Sequence, residues 1–240
     1  MPLKRMEKTA MIVRLHSLSV RPPVWADLSA VVGLIKACVK EEAGIEEPTE
    51  EEVHKSWQAR NFNLRMDAWV IFTRKGDIVG YAEVRNCGDG RLVSMLRVHP
   101  AYRGRGIGTL LTWLVEERAR QLMRRISLDI RVTLSNSVNS LNTAAHRLLE
   151  REGYSLVRNF WRLSIEMDEQ LPDEGARDGK IQMDLVIDSA NLMGSTRLPR
   201  RTGMYVVRQY DVYEKVLRIP DVQQVAEEQD AHYYSVASAT

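Results

Sequence analysis

A loop rich in glycine and arginine constrains the fold of this chain more than any other feature of its sequence. It contains Arg103, Gly104, Arg105, Gly106 and Gly108. An apolar run predicts a strand over 92–98 before the loop, and apolar residues at helical spacing follow it. Glycine permits positive φ and a close ligand approach, and the first turn of a helix attracts phosphate groups. The sequence therefore predicts an anion-binding loop between a strand and a helix.

Two better-known phosphate-binding motifs fit this loop poorly. A dinucleotide fingerprint needs G-x-G-x-x-G and an acidic residue about 20 positions later. This chain has G-x-G-x-G, and Arg124 and Arg125 stand near that offset. A P-loop needs a lysine after its last glycine, which is absent here. The remaining alternative is a solvated surface loop without a ligand.

Two motifs carry a resemblance to a known family. The pattern Arg103-x-x-Gly106-x-Gly108, preceded by Val98-His99-Pro100, resembles the acetyl-CoA-binding motif of the GNAT N-acetyltransferases. A second pattern, which runs from Asn142 to Gly153-Tyr154, resembles the family's N-x-x-A-x-x-L-Y-E-x-x-G-[FY] element. The two motifs occur in the family's order, with a predicted strand between them.

The resemblance implies a GNAT fold over residues 18–167, in the α/β (α+β) class. This fold is a mixed, mostly antiparallel sheet with helices on both faces. The sequence patterns predict strands over 18–21, 68–73, 78–86, 92–98, 126–134 and 155–167. They predict helices from an N-cap at Asp27, from a Thr49–Glu52 capping box to about Asn63, after the glycine loop, and over 141–151. A polar loop is expected over 135–140.

The C-terminal third resembles a broken second copy of the same fold. Residues 168–179 read as a linker, and 180–217 as a partial GNAT repeat of strand, helix and strand. This segment is too small to fold alone, so we expect it to dock onto the sheet of 18–167. Exchange of the segment in a homodimer is an alternative that the sequence leaves open. An N-terminal extension (1–17) and a polar tail (218–240) complete the expected domains.

Composition excludes several classes of function. A net charge of +2 is too small to indicate binding to nucleic acid or to an anionic membrane. The apolar run over 10–13 is too short for a signal peptide or a membrane span, so we expect a cytoplasmic protein. The two cysteines and five histidines are scattered, and no metal site is expected.

The resemblance implies that acetyl-CoA is a co-substrate and assigns residues to it. Leu96, Arg97 and Val98 would contact the pantetheine arm and the thioester through the backbone. Asn142 would contact the pantetheine or the departing thiol. The diphosphate would lie on the loop residues Arg103, Gly104, Arg105, Gly106, Ile107, Gly108 and Thr109.

The implied reaction is acetyl transfer to a primary amine of a small molecule or peptide by direct attack on the thioester. An alkylammonium has a pKa of about 10.4, so a base must remove its proton. We predict that Glu83 is this base, and the alternative is a solvent-facing strand carboxylate. Leu149 stands where the family often has a tyrosine that acts as the acid. A second interpretation is therefore an acetyl-CoA-binding sensor or assembly protein with weak or no activity.

Overall fold

The computed structural model describes residues 17–42, 48–168, 180–188 and 205–220. Three predicted segments lie outside these residues except at their edges: the N-terminal extension, the linker and the tail. The predicted domain boundaries stay predictions. The chain divides into two compact units. The first unit comprises Met1–Asn136 with Glu214–Thr240, and the second comprises Ser137–Tyr213. No helix in the described ranges is both long enough and apolar enough to cross a bilayer.

The first unit is built on a sheet in the order β1-β2-β3-β4-β5. Neighbouring strands are antiparallel except for β4 and β5, which are parallel. The first four strands confirm the sequence prediction to within one residue. The strands are β1 (Leu18–Arg21), β2 (Ala68–Thr73), β3 (Ile78–Asn86), β4 (Arg91–Val98) and β5 (Val132–Asn139).

Helices cover both faces of this sheet, as the resemblance implies. They are α1 (Leu28–Glu41), α2 (Glu50–Trp57), α3 (Leu64–Asp67) and α4 (Ile107–Met123). The apolar face of α1 packs in one core with Tyr81 of β3. The adjacent residue Gly80 faces Ile107 and Leu111 of α4. Because successive strand residues point to opposite faces, α1 and α4 lie on opposite sides of the sheet.

Two helix predictions need correction at their ends. The Thr49–Glu52 capping box is confirmed, since each side chain accepts a hydrogen bond from the other residue's backbone N–H. The helix ends at Trp57 rather than near Asn63, because Asn63 caps a separate helix by accepting from Arg65 N. Asp27 is at the N-cap position of α1 but does not cap it with its side chain. The carboxylate of Asp27 instead accepts from the guanidinium of Arg21.

The prediction of a strand over 126–134 is wrong in its position. Residues 126–131 form turns, and β5 runs through 135–139, where a loop was expected. Arg218 holds the turns by donating to the carbonyl oxygens of Ile126 and Ile130, both at 3.1 Å. Parallel pairing with β4 begins only where Thr133 N donates to Gly90 O, at 2.9 Å. The apolar alternation before Val132 therefore belongs to a turn held by a distant arginine.

Among its described residues, the second unit contains the rest of β5, a helix and strands in the order β8-β6-β7, of which β8 continues into the first unit. The helix is α5 (Thr143–Arg151), and Gly153 follows it with a φ of 85°. The strands are β6 (Ser155–Asp168), β7 (Lys180–Asp188) and β8 (Tyr205–Arg218). Strands occur at both ends of the predicted partial repeat, and its predicted helix lies outside the described residues. The homodimer alternative stays a prediction.

The end of β8 belongs to the first unit and is tied to α4 by a buried carboxylate. Glu116 has a side chain that is only 1% exposed. It accepts from Lys215 Nζ at 2.7 Å and from Arg120 Nη2 at 2.9 Å. Two cations therefore balance one buried negative charge.

We expect Lys215→Met to lower the free energy of unfolding by about 1–3 kcal/mol. Removing one partner of a buried ion pair costs about 3–5 kcal/mol, and Arg120 should recover part of that loss. Urea unfolding measures the change. The control is Lys55→Met, which breaks an exposed pair with Glu51 and should cost less than about 1 kcal/mol. Equal losses of unfolding free energy in the two variants would contradict a stabilising role of the buried pair. Adding Glu116→Gln to Lys215→Met should restore part of the lost stability.

Candidate functional site

The glycine loop enters α4 with left-handed backbone at two positions. Gly104 has a φ of 74° and Gly106 a φ of 86°, which side-chain-bearing residues rarely adopt. Gly106 is the N-cap of α4, and its carbonyl accepts the first helical bond from Leu110 N at 3.0 Å. The first turn of a helix presents N–H groups that have no acceptor within the helix. This loop therefore has the local geometry of an anion-binding site.

The two loop arginines have different surroundings. Arg103 Nη1 lies 2.6 Å from Glu41 Oε2, at the end of α1. Arg105 stacks over the ring of Tyr102 at 4.7 Å and donates one bond to Ala101 O at 3.3 Å. The carboxylate of Glu41 thus competes with any ligand anion for Arg103.

Beyond Ser94, β4 has no paired residue on its β5 side in the described register, and we refer to this side of β4 as the cleft. Their parallel pairing ends at Ser94 and Asn136, although β4 continues to Val98. The buried side chain of Asn136 closes this end by donating to the backbone and hydroxyl oxygens of Ser94, both at 3.1 Å. Beyond that point the described register of the two strands contains no further pair.

The register of β4 decides which backbone groups face the cleft. Cys87 N donates to Arg91 O, and His99 N donates to Val79 O. In an antiparallel ladder this makes the odd-numbered residues of β4 the ones that exchange hydrogen bonds with β3. The backbone groups of Leu96 and Val98 therefore point away from β3, toward the cleft. This is where the resemblance requires them.

Two side chains donate hydrogen bonds to carbonyl groups at this edge of β4. Arg97 Nη1 donates to Leu96 O at 2.9 Å, and the Cys38 thiol donates to Val98 O at 3.3 Å. Burial raises the pKa of Cys38 above its ordinary value, against the smaller opposite effect of the Arg97 and Arg103 charges. Cys38 is therefore held as a neutral thiol that can donate.

Glu83, the predicted base, is buried and ion-paired. It is 6% exposed, so the alternative of a solvent-facing carboxylate is wrong. Glu83 Oε2 accepts from the hydroxyl of Tyr81 at 2.5 Å, and Oε1 accepts from Arg85 Nε at 2.7 Å. In the strand register Glu83 lies opposite Met95, one residue before Leu96.

The partners of Glu83 connect it to α2. Tyr81 accepts a bond from Trp57 Nε1 at 2.9 Å. Burial, and then the charge of Glu83, raise the pKa of Tyr81 far above its ordinary value, so the phenol stays protonated. Arg85 donates to the carbonyl and hydroxyl oxygens of Ser56, at the other side of the network. This network fixes the orientation of the carboxylate.

In the second unit, the remaining predicted site residue is a helix cap. Asn142 Oδ1 accepts from Ala145 N at 3.0 Å, at the start of α5. Leu149, which replaces the family's tyrosine, is buried at 3% exposure. α5 therefore has no tyrosine at the position where the family often has one.

Sequence reasoning missed a polar cluster around Tyr213 of β8. The Tyr213 hydroxyl donates to Glu150 Oε1 at 3.0 Å and lies 3.1 Å from His146 Nδ1. His146 Nε2 is 3.4 Å from Asp211 Oδ2. Burial, and then the bond to Glu150, raise the pKa of Tyr213 to about 12. No local pattern could reveal this cluster, because 67 positions separate Tyr213 from His146.

A protein-family model matches the part of the chain that contains the glycine loop. The model of the "Acetyltransferase (GNAT) family" matches residues 34–154, which are half of the chain. The chain belongs to the GNAT acetyltransferase family. The match begins in α1 and ends just after Gly153, so it contains both motifs and the glycine loop.

Two known proteins show how far the sequence likeness extends. The chain is 22% identical over 150 residues to the spore coat polysaccharide biosynthesis protein SpsD of Bacillus subtilis, covering 60% of this chain and 49% of that protein. It is 32% identical over 110 residues to a mycothiol acetyltransferase of Saccharopolyspora erythraea, covering 44% and 36%. The chain therefore spans about half or less of the length of these relatives.

A solved structure supports the fold. The crystal structure of a GCN5-related N-acetyltransferase from Sphaerobacter thermophilus superposes with a TM-score of 0.72. The two chains are 21% identical, and the match covers 85% of this chain and 97% of that one. At this identity the likeness shows the shared GNAT fold.

Proposed function

We propose that this protein binds acetyl-CoA as a co-substrate and transfers its acetyl group to a primary amine of a small molecule or peptide. The observation that carries the proposal is the placement of the loop. Left-handed glycines lead into α4 directly after β4, and the Leu96 and Val98 backbone lies beyond the parallel pairing of β4 with β5. A diphosphate and a thioester on one flexible arm fit these two neighbouring features.

The loop residues fit a diphosphate on chemical grounds. N–H groups of the segment 103–109 lie at the N-terminus of α4, where the helix dipole favours negative charge. Arg103 and Arg105 add guanidinium donors that match phosphate oxygens. Arg103 would exchange Glu41 for the diphosphate, and the Thr109 hydroxyl would add a further donor.

The cleft residues fit the rest of the co-substrate. Backbone groups of Leu96 and Val98 would bond the pantetheine arm and polarise the thioester carbonyl. The Cys38 thiol would release the Val98 carbonyl when the arm enters.

Glu83 would accept the proton of the acceptor amine through a water molecule. Each oxygen of its carboxylate accepts one bond from a neighbour, which leaves a lone pair on each for water. Tyr81 and Arg85 would hold the carboxylate in one orientation. Because Leu149 has no hydroxyl, the departing thiolate would take its proton from solvent or from another group.

The test is thiol release from acetyl-CoA across a panel of primary amines, followed by Glu83→Gln. We expect kcat to fall by about 100-fold or more, since general bases contribute about 10²–10⁴-fold. The activity remaining should also lose its dependence on the ionisation of the base. The control is Glu117→Gln, which alters an exposed carboxylate on α4 and should change kcat less than twofold. Equal effects of the two variants would exclude Glu83 as the base.

The leucine at position 149, which lacks the hydroxyl of the family's tyrosine, favours a second function, an acetyl-CoA-binding sensor or assembly protein with weak or no activity. Calorimetry separates the two functions. Binding of coenzyme A without thiol release for any amine would support the sensor. Absence of coenzyme A binding would contradict both functions.

A further inference from the structure

Arg97 is a half-buried cation without an acidic partner among the described residues. Its one hydrogen bond there is the bond from Nη1 to Leu96 O at 2.9 Å. A guanidinium has five N–H donors in a fixed planar arrangement, so most of its donors are left for a ligand. The charge of Arg97 is therefore not balanced by a carboxylate in the described part of the chain.

Most other shielded arginines of the first unit meet a carboxylate, and the exception is Arg218, which donates to backbone carbonyl oxygens. Arg85 pairs with Glu83 at 2.7 Å, and Arg118 pairs with Asp67 at 2.8 Å. Removing a cation from water costs free energy that a paired anion offsets. Arg218 has three carbonyl acceptors, those of Ile126, Ser127 and Ile130, whereas Arg97 has one acceptor among the described residues.

The hydrogen bond to Leu96 O fixes where the guanidinium lies. That carbonyl belongs to the edge of β4 that faces the cleft beyond Ser94. In the strand register Arg97 lies opposite Tyr81, two residues from Glu83. Because opposite residues of the ladder point to the same face of the sheet, Arg97 shares a face with Glu83, the proposed base.

We propose that Arg97 binds a carboxylate of the acceptor, so that the acceptor is an amine that also carries a carboxylate, the class that includes amino acids. This inference rests on the proposed acetyl transfer. A guanidinium matches a carboxylate with two parallel hydrogen bonds and fixes its orientation. Its positive charge also favours the neutral form of a neighbouring amine, which is the form that attacks the thioester. Arg97 is therefore a specificity-determining residue.

The experiment compares amino acids with their carboxamides, which keep the amine and lose the negative charge. For the unaltered protein we expect kcat/KM to be at least tenfold higher for the amino acid, mainly through KM. Arg97→Gln should lower the ratio of the two kcat/KM values by about tenfold to 100-fold, because a hydrogen bond to a charged group contributes about 1.5–3 kcal/mol. Arg97→Lys should restore part of it. Calorimetry with the amino acid and bound coenzyme A gives a second readout that does not depend on turnover.

The matched control is Arg91→Gln, which removes an exposed arginine at the start of the same strand. It should leave the preference for the amino acid intact. Arg97→Gln could instead lower kcat/KM equally for an amino acid and its carboxamide and weaken coenzyme A binding. That result would assign Arg97 to the coenzyme's phosphates and overturn the proposal. Acetyl transfer without any preference for a carboxylate would also overturn it. Absence of transfer to every amine would instead contradict the proposed function.

Discussion

Replacing Gly90 by alanine is expected to lower the free energy of unfolding by about 3 kcal/mol or more. Gly90 has a φ of 72°, and a left-handed residue with a side chain costs about 1–2 kcal/mol. A Cβ there would lie 2.0 Å from the carbonyl oxygen of Arg131, a backbone atom that cannot rotate away. Overpacking of this kind adds about 1–3 kcal/mol. Urea unfolding measures the sum.

The control for this prediction is Gly88→Ala in the same turn. Gly88 has a φ of 83°, and a Cβ there would meet nothing within 4 Å. This variant should therefore show the backbone cost alone. A loss at Gly90 no larger than that at Gly88 would mean that the contact with Arg131 is relieved at little cost. Gly90 also accepts the first bond of the parallel pair from Thr133, so Gly90→Ala should disturb the cleft as well.

Gly106→Ala is expected to weaken coenzyme A binding at least tenfold. The N-cap of α4 has a φ of 86°, and alanine would cost about 1–2 kcal/mol in that conformation. If the loop relaxes to escape this cost, its N–H groups move away from the anion. A loss of 1.4 kcal/mol corresponds to about tenfold in affinity. Isothermal calorimetry with coenzyme A measures it.

Gly76→Ala provides the matched control for the backbone cost. Gly76 lies in the β2–β3 turn with a φ of 93° and open space around its Cβ position. The two variants should lose similar stability in thermal unfolding. Only Gly106→Ala should lose affinity for coenzyme A. A similar loss of affinity in both variants would show that general destabilisation, and not the loop, is responsible.

Local patterns were sufficient for most of the first unit. Alternation and turn residues located β1 to β4 to within a residue, because each strand is short and bounded by glycine, proline or asparagine turns. The capping box located the start of α2 because its hydrogen bonds join residues only three positions apart. The glycine loop was also predictable, since its conformation depends on its own residues.

The error in β5 occurs where distant residues decide the structure. Apolar alternation continues from Ile126 into β5, so no local pattern marks the turns before Val132. Arg218 holds those turns from 88 to 92 positions away in the sequence. A long-range bond of this kind has no sequence signal.

The candidate site also combines features that the sequence predicts with features that depend on distant residues. The cleft-facing backbone of Leu96 and Val98 came from a motif resemblance, and the strand register supports it. The burial of Glu83 could not be predicted, because Tyr81 and Arg85 enclose it together with α2. The unbalanced charge of Arg97 is visible only when the partners of the other arginines are known.

The alternating hydrogen bonding of β4 limits how this strand can vary in evolution. One residue inserted between Ser94 and Leu96 would turn the cleft-facing amides toward β3 and move the guanidinium of Arg97 to the opposite face of the sheet. Two inserted residues would keep both orientations. Homologous chains that retain the chemistry should therefore differ in length here only by even numbers, or compensate an odd change with a bulge.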